Sequence, residues 1–277
     1  MGKLKVALAQ LVCEDGQLEG NLRRMDQVID EFGSSHDLIL FPETYTMGFP
    51  AREVCRSLAQ SLDGPVVKHL EQKAREVNTT FVTGLYERDG EHVYNTTVLV
   101  GPSGLMLSYR KTHLWVGESA RVEAGNMFRS CSWRDTKLGL LICYDIEFPE
   151  TARSVASLGA ELLLVTDGNM HPYGPVHRIA VQARAQENQI FVAMANRVGE
   201  DDYSNHYVGG SMIADPYGQI VLEASTDKEE VLSATIDLAM VQKSRQLYHY
   251  LNERRLDHMS QKIKETSNGI VEMKINS

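Results

Sequence analysis

The sequence has few cysteines, no long apolar run and no excess of positive charge. Its four cysteines are widely spaced and form no CxxC pair, which argues against a zinc site and against a disulfide framework. The formal net charge is −9 at pH 7 and the basic residues are scattered, so nucleic acid is not an expected partner. Because no apolar run reaches the roughly 20 residues of a membrane-spanning helix, we expect no membrane partner and a cytoplasmic protein.

The sequence also lacks several motifs that define other chemistries. It has no GxSxG segment of the serine hydrolases and no glycine-rich phosphate loop. His171 and His177 are six residues apart, which does not suit two metal ligands on one helix face, so we expect no metal and no other cofactor. Two lysines precede the first apolar run, as in a signal peptide, but Gln10, Glu14 and Asp15 interrupt it, so the segment predicts a first strand.

What the chain does contain is an alternation of short apolar runs and amphipathic helical patterns. With 277 residues, of which 43% are hydrophobic and 23% charged, it is long enough for one large domain. The patterns predict helices at 21–32, 64–77, 149–158, 175–189 and 238–251, and strands at 4–11, 38–41, 81–86, 93–100, 105–109, 128–133, 138–142, 162–165, 190–195, 210–214, 220–223 and 231–236.

Helices separate some of these strands and turn residues separate others. Asp89 and Gly90, the GPSG segment at 101–104 and the PYG segment at 216–218 each predict a hairpin. Because helices join some strands and hairpins join others, the pattern favours an α/β (α+β) sandwich over a purely parallel sheet. We assign residues 1–251 to one domain and expect the polar residues 252–277 to form a tail that is either disordered or packed against a partner subunit.

One cysteine lies where a thiol becomes reactive. Cys143 follows the buried run LGLLI and precedes a helix that begins with Pro149 and Glu150. Unpaired N–H groups and the positive dipole at a helix N-terminus stabilise a thiolate, so this position suits a nucleophile. The alternative is a buried cysteine that acts only as a small hydrophobic residue.

Two charged residues lie at comparable strand ends. Glu43 follows the run LILFP, where desolvation raises a carboxyl pKa towards that of a general base and acid. Lys111 follows LMLSYR, and an ammonium near a thiolate stabilises that thiolate and also an oxyanion. For each residue alone, the alternative is a surface charge just past a strand.

Taken together, three motifs resemble the signatures of the nitrilase (carbon–nitrogen hydrolase) superfamily. They are FPET at 41–44, YRKTHL at 109–114 and LLICYDIEFPE at 140–150, in this order and at these intervals. The resemblance covers roughly the first 240 residues, including ALAQ near the start and ARAQENQIFVAMANRVG at 183–199.

The resemblance implies a role for each matched residue. Cys143 would be the nucleophile, Glu43 the general base and Lys111 the cation that stabilises the oxyanion. Glu118 would orient Lys111, with Glu123 as a weaker competitor for that role. The backbone N–H of Tyr144 would complete the oxyanion hole.

The resemblance also implies a fold and an assembly. The family fold is a four-layer α-β-β-α sandwich, in which two sheets pack face to face with helices outside. Subunits commonly pair through the helices next to the cysteine, here 149–158 and 175–189, so we expect a homodimer or a higher homo-oligomer.

The residue pattern after the cysteine favours an amide substrate. Nitrilases usually show Trp and Glu directly after the cysteine, whereas Tyr144 and Asp145 are more like amidases and carbamoylases. Relatives that cleave acid-bearing amides often have Arg four positions after the cysteine, where this chain has Glu147. If Glu147 lines the pocket, it disfavours an anionic substrate and permits a neutral or cationic one, such as 5-aminopentanamide.

Other interpretations of these residues stay open. Glu147 could instead cap the following helix or pair with Arg153. The remaining candidates for the substrate pocket follow motif strands, and they are Tyr45, Trp115, Asn169, Met170 and His171. The leading hypothesis is a small aliphatic amide as partner and substrate, with a nitrilase, a carbamoylase or a catalytically silent binding subunit as alternatives.

Overall fold

Two β-sheets pack face to face between two layers of helices. The computed structural model describes residues 2–255, 263–266 and 269–274. The helices are α1 (Leu18–Phe32), α2 (Arg52–Leu58), α3 (Pro65–Val77), α4 (Pro149–Ser157), α5 (Gly174–Asn188) and α6 (Ala239–Ser244). The strands are β1 (Lys3–Gln10), β2 (Leu38–Leu40), β3 (Thr80–Asp89), β4 (His92–Gly101), β5 (Gly104–Arg110), β6 (Met127–Trp133), β7 (Thr136–Ile142), β8 (Leu162–Asp167), β9 (Phe191–Asn196), β10 (Val198–Glu200), β11 (His206–Val208), β12 (Met212–Ala214), β13 (Ile220–Glu223), β14 (Glu230–Asp237), β15 (Ile263–Glu265) and β16 (Ile270–Lys274).

The first sheet has the strand order β14-β1-β2-β3-β4-β5 and is covered on one face by α1 and α3. Strand β1 has apolar side chains on both of its faces. Leu4, Val6 and Leu8 lie in the core between the two sheets, whereas Ala7 and Ala9 lie in the core beneath the helices. Because side chains alternate along a strand, a nearly continuous apolar run is needed when both faces are buried.

The second sheet has the order β13-β12-β9-β8-β7-β6-β16-β15. Its centre, β7-β8-β9, is parallel, and α4 and α5 make the crossovers on its outer face. Pro149 opens α4, and a proline in the first turn costs no hydrogen bond because that N–H has no partner within a helix. The predicted four-layer sandwich is therefore confirmed.

The three predicted hairpins are present, as β3–β4, β4–β5 and β12–β13. The sequence patterns missed α2 and the small β10–β11 ribbon, which are both short. The helix predicted for 238–251 is wrong in length, since α6 ends at Ser244. The side-chain amide of Gln189 donates to the carbonyls of Ser244 (2.6 Å) and Tyr248 (2.8 Å). These carbonyls therefore accept hydrogen bonds from Gln189 and not from the backbone N–H groups of a longer helix.

The segment 252–277, for which the sequence predicts a polar tail, contributes strands in its described parts. Strand β16 pairs with β6 and extends the second sheet, and β15 pairs with β16. Val271 and Met273 are buried and two residues apart, as a strand with one buried face requires. Residues 256–262, 267–268 and 275–277 of the predicted tail lie outside the described residues.

The helices that the structure describes are short. The longest, α1 and α5, have 15 residues each. None in the described part of the chain has the length and apolarity to cross a bilayer.

Candidate active site

The ends of three strands bring the predicted catalytic side chains to one cavity. Glu43 follows β2, Lys111 follows β5 and Cys143 follows β7. All three line a pocket that is open to solvent and has a cavity volume of about 200 Å³. Residues separated by a hundred positions of chain therefore meet because the two sheets pack face to face.

Cys143 occupies a sharp corner between β7 and a 3₁₀ turn, Cys143–Glu147. Its φ angle is 44°, in the left-handed region, where a non-glycine residue costs about 1–3 kcal/mol. The buried carboxylate of Asp145 fixes the turn. It accepts hydrogen bonds from the Tyr109 hydroxyl (2.8 Å), the Thr112 hydroxyl (2.8 Å) and the N–H of His113 (2.9 Å). Several contacts with the first sheet thus hold the cysteine in a conformation that its own sequence disfavours.

A buried ammonium links two carboxylates beside this corner. Lys111 Nζ lies 2.8 Å from Glu43 Oε1 and 2.8 Å from Glu118 Oε2. The Asn95 amide Nδ2 donates to the same two side chains, at 2.7 Å to Glu43 Oε1 and 2.9 Å to Glu118 Oε1. The competitor Glu123 is exposed and contacts His92, so the structure places Glu118, and not Glu123, beside Lys111.

The three ionisable groups of this cluster, Glu43, Glu118 and Lys111, shift one another's pKa values. Burial raises the pKa of Glu43, and the attraction of Lys111 does not fully offset it because Glu118 and Asp167 add negative charge. Burial alone would raise the pKa of Glu118 too, but Lys111 and three hydrogen bonds hold it below its usual value. Burial opposes the charge of Lys111, yet the two carboxylates raise its pKa well above the usual value. Glu43 is thus the carboxylate suited to gain and lose a proton.

Cys143 has a pKa well above that of an ordinary thiol. Burial is the main cause, and the negative charges of Glu43 and Asp167 outweigh the positive charge of Lys111. The expectation of a stabilised thiolate is therefore wrong for the resting site. Helix α4, which was expected to stabilise it, begins only at Pro149, after the 3₁₀ turn. The sulfur rests as a thiol, and a nearby base must remove its proton during attack.

A second charged group lies close to the sulfur. His177, on α5, places Nδ1 3.0 Å from Asp167 Oδ2 and Nε2 3.1 Å from Glu147 Oε1. Burial lowers the pKa of His177, but the two carboxylates overcome this and raise it to about 9. Ligand atoms of Cys143, Asp167 and His177 all lie within 4.8 Å of one another. Both ring nitrogens already face carboxylate oxygens, which suits a protonated imidazolium better than a metal ligand.

The predicted pocket residues divide into two groups. Trp115, Glu147, Asn169 and Met170 line the cavity, as does Tyr144. Tyr144 forms edge contacts with the rings of Trp115 (5.1 Å between centroids) and Phe148 (4.9 Å). Trp115 and Tyr144 thus form one aromatic wall of the pocket, and Phe148 packs against Tyr144.

Two pocket predictions are wrong. Tyr45 is completely buried beside Phe41 and its hydroxyl donates to the carbonyl of Val12, because Thr44 adopts a φ of 42° that turns the chain away from the cavity. His171 is exposed, and within the described part of the chain it is not among the residues that line the pocket. Its N–H donates to the carbonyl of His206, which leaves Met170 facing the cavity.

The sequence analysis missed Asn95, Asp167 and the role of His177. Asn95 lies inside β4, where asparagine is unusual, and this could have marked it. Asp167 ends the buried run LLLVT, like Glu43 after its own strand. Also missed were Tyr173, whose ring contacts Trp115 at 5.3 Å between centroids, and four further lining residues that we call the far wall, Phe49, Asp201, Tyr203 and Tyr207.

The far wall is fixed from behind by a buried arginine. The guanidinium of Arg197 lies 3.9 Å from the centroid of the Tyr207 ring, which stacks on Phe49 at 5.9 Å. Arg197 also donates to the carbonyl of Cys13 (2.6 Å) and contacts Asp15 (3.4 Å). A cation stacked on an aromatic ring and anchored to the backbone gives this side of the pocket a fixed shape.

Comparisons with known proteins show which family the chain resembles. A model of the carbon–nitrogen hydrolase family matches residues 5–246. An (R)-stereoselective amidase of a Pseudomonas species is 44% identical over 253 residues, which are 91% of this chain and 92% of that protein. The crystal structure of a carbon–nitrogen hydrolase superfamily protein from Xanthomonas campestris, with an arsenic adduct in its active site, has a TM-score of 0.86 and 27% identity, covering 92% of this chain and 98% of that one.

A further structure shows the chemistry of such a site. It is a variant of the amidase from Nesterenkonia sp. AN1 with covalent addition of the acetamide moiety of fluoroacetamide at its active-site cysteine. It matches with a TM-score of 0.80 and 27% identity, and covers 91% of this chain and 94% of that one.

Proposed function

Because the chain belongs to the carbon–nitrogen hydrolase family, we propose that it is a cysteine-dependent amidase that converts a small aliphatic amide to a carboxylic acid and ammonia. The observation that carries this proposal is the convergence of Glu43, Lys111 and Cys143 on one cavity, with Lys111 Nζ 2.8 Å from Glu43. The carboxylate, the ammonium and the sulfur supply a base, an electrophilic stabiliser and a nucleophile.

The first half of the reaction forms a thioester. Cys143 Sγ attacks the amide carbon while its proton passes to Glu43. Lys111 has three N–H donors and uses two for carboxylates, so one is left for the oxyanion. The N–H of Tyr144, at the start of a helical turn, is the second donor. Glu43 returns the proton to the leaving nitrogen, the C–N bond breaks, and ammonia departs.

The second half hydrolyses the thioester. Glu43, again ionised, takes a proton from a water molecule that attacks the acyl carbon. The same two donors stabilise the second oxyanion, the C–S bond breaks, and Glu43 returns the proton to the sulfur. One carboxylate serves in turn as base, acid, base and acid, which requires a raised pKa such as burial gives Glu43. Glu118 acts as a positioning residue that holds Lys111.

The pocket favours neutral or amino-terminated amides over acidic ones. Glu147 lines the cavity and pairs with His177, and neither Arg153 nor a helix cap is the partner found for its side chain among the described residues. A substrate carboxylate would meet Glu147 across a partly desolvated pocket, where like charges repel strongly. Nitriles and carbamoyl compounds would use the same nucleophile and remain the nearest alternative substrates, whereas a silent binding subunit would not need all three reactive groups.

We also propose that the domain of residues 1–251 forms a homo-oligomer through α4 and α5. The support is the exposed apolar face of α5, where Val176 is 42% and Ile179 is 66% exposed. Sedimentation should show a dimer or larger species, and Ile179→Glu should shift it towards the monomer. A monomer at micromolar concentration in the unchanged protein would contradict this.

Ammonia release tests the activity itself. The panel contains neutral, amino-terminated and carboxy-terminated amides, the matching nitriles and carbamoyl compounds. We expect release from the amides, fastest for neutral or amino-terminated ones, and none from Cys143→Ala. The matched control is Cys131→Ala, which removes a buried thiol that does not line the cavity. Release that survives Cys143→Ala would refute the mechanism, and mass spectrometry of the trapped acyl-enzyme would locate the bond.

A further inference from the structure

A buried histidine that the mechanism does not use bridges two carboxylates at the cavity. His177 is 2% exposed, and both of its ring nitrogens lie within hydrogen-bonding distance of a carboxylate oxygen. A neutral imidazole has one N–H and one lone pair, so one carboxylate would then face a lone pair. Two carboxylate acceptors at 3.0 and 3.1 Å therefore favour the doubly protonated ring.

We propose that His177 is a positioning residue for substrate specificity, which holds the Glu147 carboxylate in the cavity wall as the receptor for the ammonium group of an amino-terminated amide. The inference rests on the proposed function and adds to it the residue that sets the receptor in place. His177 need not touch the substrate, because it acts through Glu147.

The charges around the ring explain why Glu147 depends on it. Asp167 is completely buried and Glu147 is about a quarter exposed, and the ring separates these two like charges. Without the imidazolium, the two carboxylates would repel each other and Glu147 would turn towards solvent. With it, one oxygen of Glu147 is held by Nε2, and in the part of the chain that the structure describes no donor is found on the other oxygen. That oxygen is left for a ligand.

The backbone beneath Glu147 is held separately, which makes the proposal testable. Arg184, also on α5, donates to the carbonyls of Ile146 (3.0 Å) and Glu147 (2.9 Å). These bonds fix the 3₁₀ turn that carries Cys143, whatever happens to the side chain of Glu147. Replacing His177 should therefore release a carboxylate without displacing the nucleophile.

The experiment compares two amides of equal length, 5-aminopentanamide and hexanamide. One ends in an ammonium and the other in a methyl group, so the ratio of their kcat/KM values isolates recognition of the charge. We expect this ratio to fall about tenfold in His177→Gln, mainly through KM for the amine, as for the loss of a hydrogen bond to a charged group. Glu147→Gln should lower it similarly, and the double variant should lower it no further than Glu147→Gln alone.

A control variant and a second test variant are available on the same helix and beside the same ring. Arg178→Gln removes a positive charge from the solvent side of the same helix, where Arg178 pairs with Glu223, and should leave the ratio unchanged. If His177→Gln does not fold, Asp167→Asn keeps the ring but removes one of its anchors and should give a smaller fall. An unchanged ratio in folded His177→Gln, or a double variant whose loss is the product of the two single losses, would overturn the inference.

The experiment also distinguishes failure of this inference from failure of the proposed amidase activity. Hydrolysis of hexanamide without any preference for the amine would overturn this inference and leave the amidase proposal standing. No ammonia from any amide of the panel would overturn both.

Discussion

The substitution Gly168→Ala tests whether the position of Glu43 controls the rate. Gly168 follows β8 and lies against the base. A Cβ atom there would come within 2.8 Å of Glu43 Oε2 and 2.8 Å of the Phe49 ring. Both contacts are roughly 0.6 Å short of ordinary van der Waals distance, which begins at about 3.4 Å. Glu43 is held by Lys111 and Asn95 and Phe49 by its stacking on Tyr207, so neither neighbour can move freely.

The expected loss follows from the size of that displacement. A misplacement of about 1 Å in a catalytic group costs on the order of 100-fold in rate, so a shift of about 0.6 Å should cost roughly 10- to 20-fold in kcat. The assay is steady-state ammonia release from hexanamide at neutral pH. Because the φ angle of Gly168 is not in the left-handed region, alanine adds no backbone strain, so the fold should be kept and the loss of stability should be limited to the two new contacts, about 1–3 kcal/mol.

The matched control is Gly20→Ala. Gly20 lies in α1, where a new Cβ meets its nearest neighbours at 3.7 Å and beyond. This variant should keep full kcat and gain up to about 1 kcal/mol in unfolding free energy, a rise of roughly 2–4 °C in melting temperature. Full kcat in Gly168→Ala, with the fold intact, would show that Glu43 does not need its observed position and would refute the reasoning.

Three further predictions concern charges in the cavity. Asn95→Leu removes a donor shared by two carboxylates, so kcat should fall about tenfold. The pKa of Glu43 should rise further, which moves the acid limb of the pH–rate profile to higher pH. An acid limb at the same pH as in the unchanged protein would contradict this prediction. The raised pKa of His177, about 9 against 6.5, stabilises the fold below pH 6.5 and stops doing so as the pH rises through 9. Denaturant titrations should therefore show a loss on the order of 3 kcal/mol over that interval, absent in His177→Gln. Glu43→Gln removes a negative charge that raises the pKa of Cys143, so the midpoint of the pH profile for iodoacetamide alkylation of the sulfur should move to lower pH although amide turnover is lost; an unmoved or higher midpoint would argue against that charge effect.

The strands, the main helices and the predicted catalytic residues follow from local sequence. Glu43, Lys111 and Cys143 each come directly after an apolar run, and that run predicts a buried strand whatever its neighbours are. Their order along the chain carried the family resemblance. What local sequence cannot predict is which strand ends meet, since this depends on the packing of one sheet on the other.

The errors in the site predictions have physical causes that only the folded structure reveals. An extended chain would place Tyr45 on the same side as Glu43, but the left-handed conformation of Thr44 reverses the chain between them. The shared donor Asn95 and the bridging His177 were missed because their function depends on partners up to 52 residues away in sequence. The prediction of a thiolate at Cys143 was wrong for the same reason, because Glu43 and Asp167, which raise the pKa of the thiol, reach the sulfur from other strands.

Two cations in this cavity each bridge two carboxylates, and the consequence is a surplus of negative charge around the sulfur. Lys111 is shared by Glu43 and Glu118, and His177 by Asp167 and Glu147. Burial is the main cause of the raised pKa of Cys143, and this surplus adds to it and also disfavours acidic substrates.

In the proposed mechanism, the same arrangement couples activation of the nucleophile to stabilisation of the oxyanion. When Glu43 takes the proton of Cys143 it becomes neutral, and Lys111 loses one of the two charges that it was balancing. Its positive charge is then only partly compensated by Glu118, at the moment when negative charge develops on the substrate oxygen. A lysine paired with Glu118 alone would be compensated equally before and after the proton transfer, so sharing Lys111 with the base makes its stabilisation of the oxyanion greater in the transition state than in the resting site.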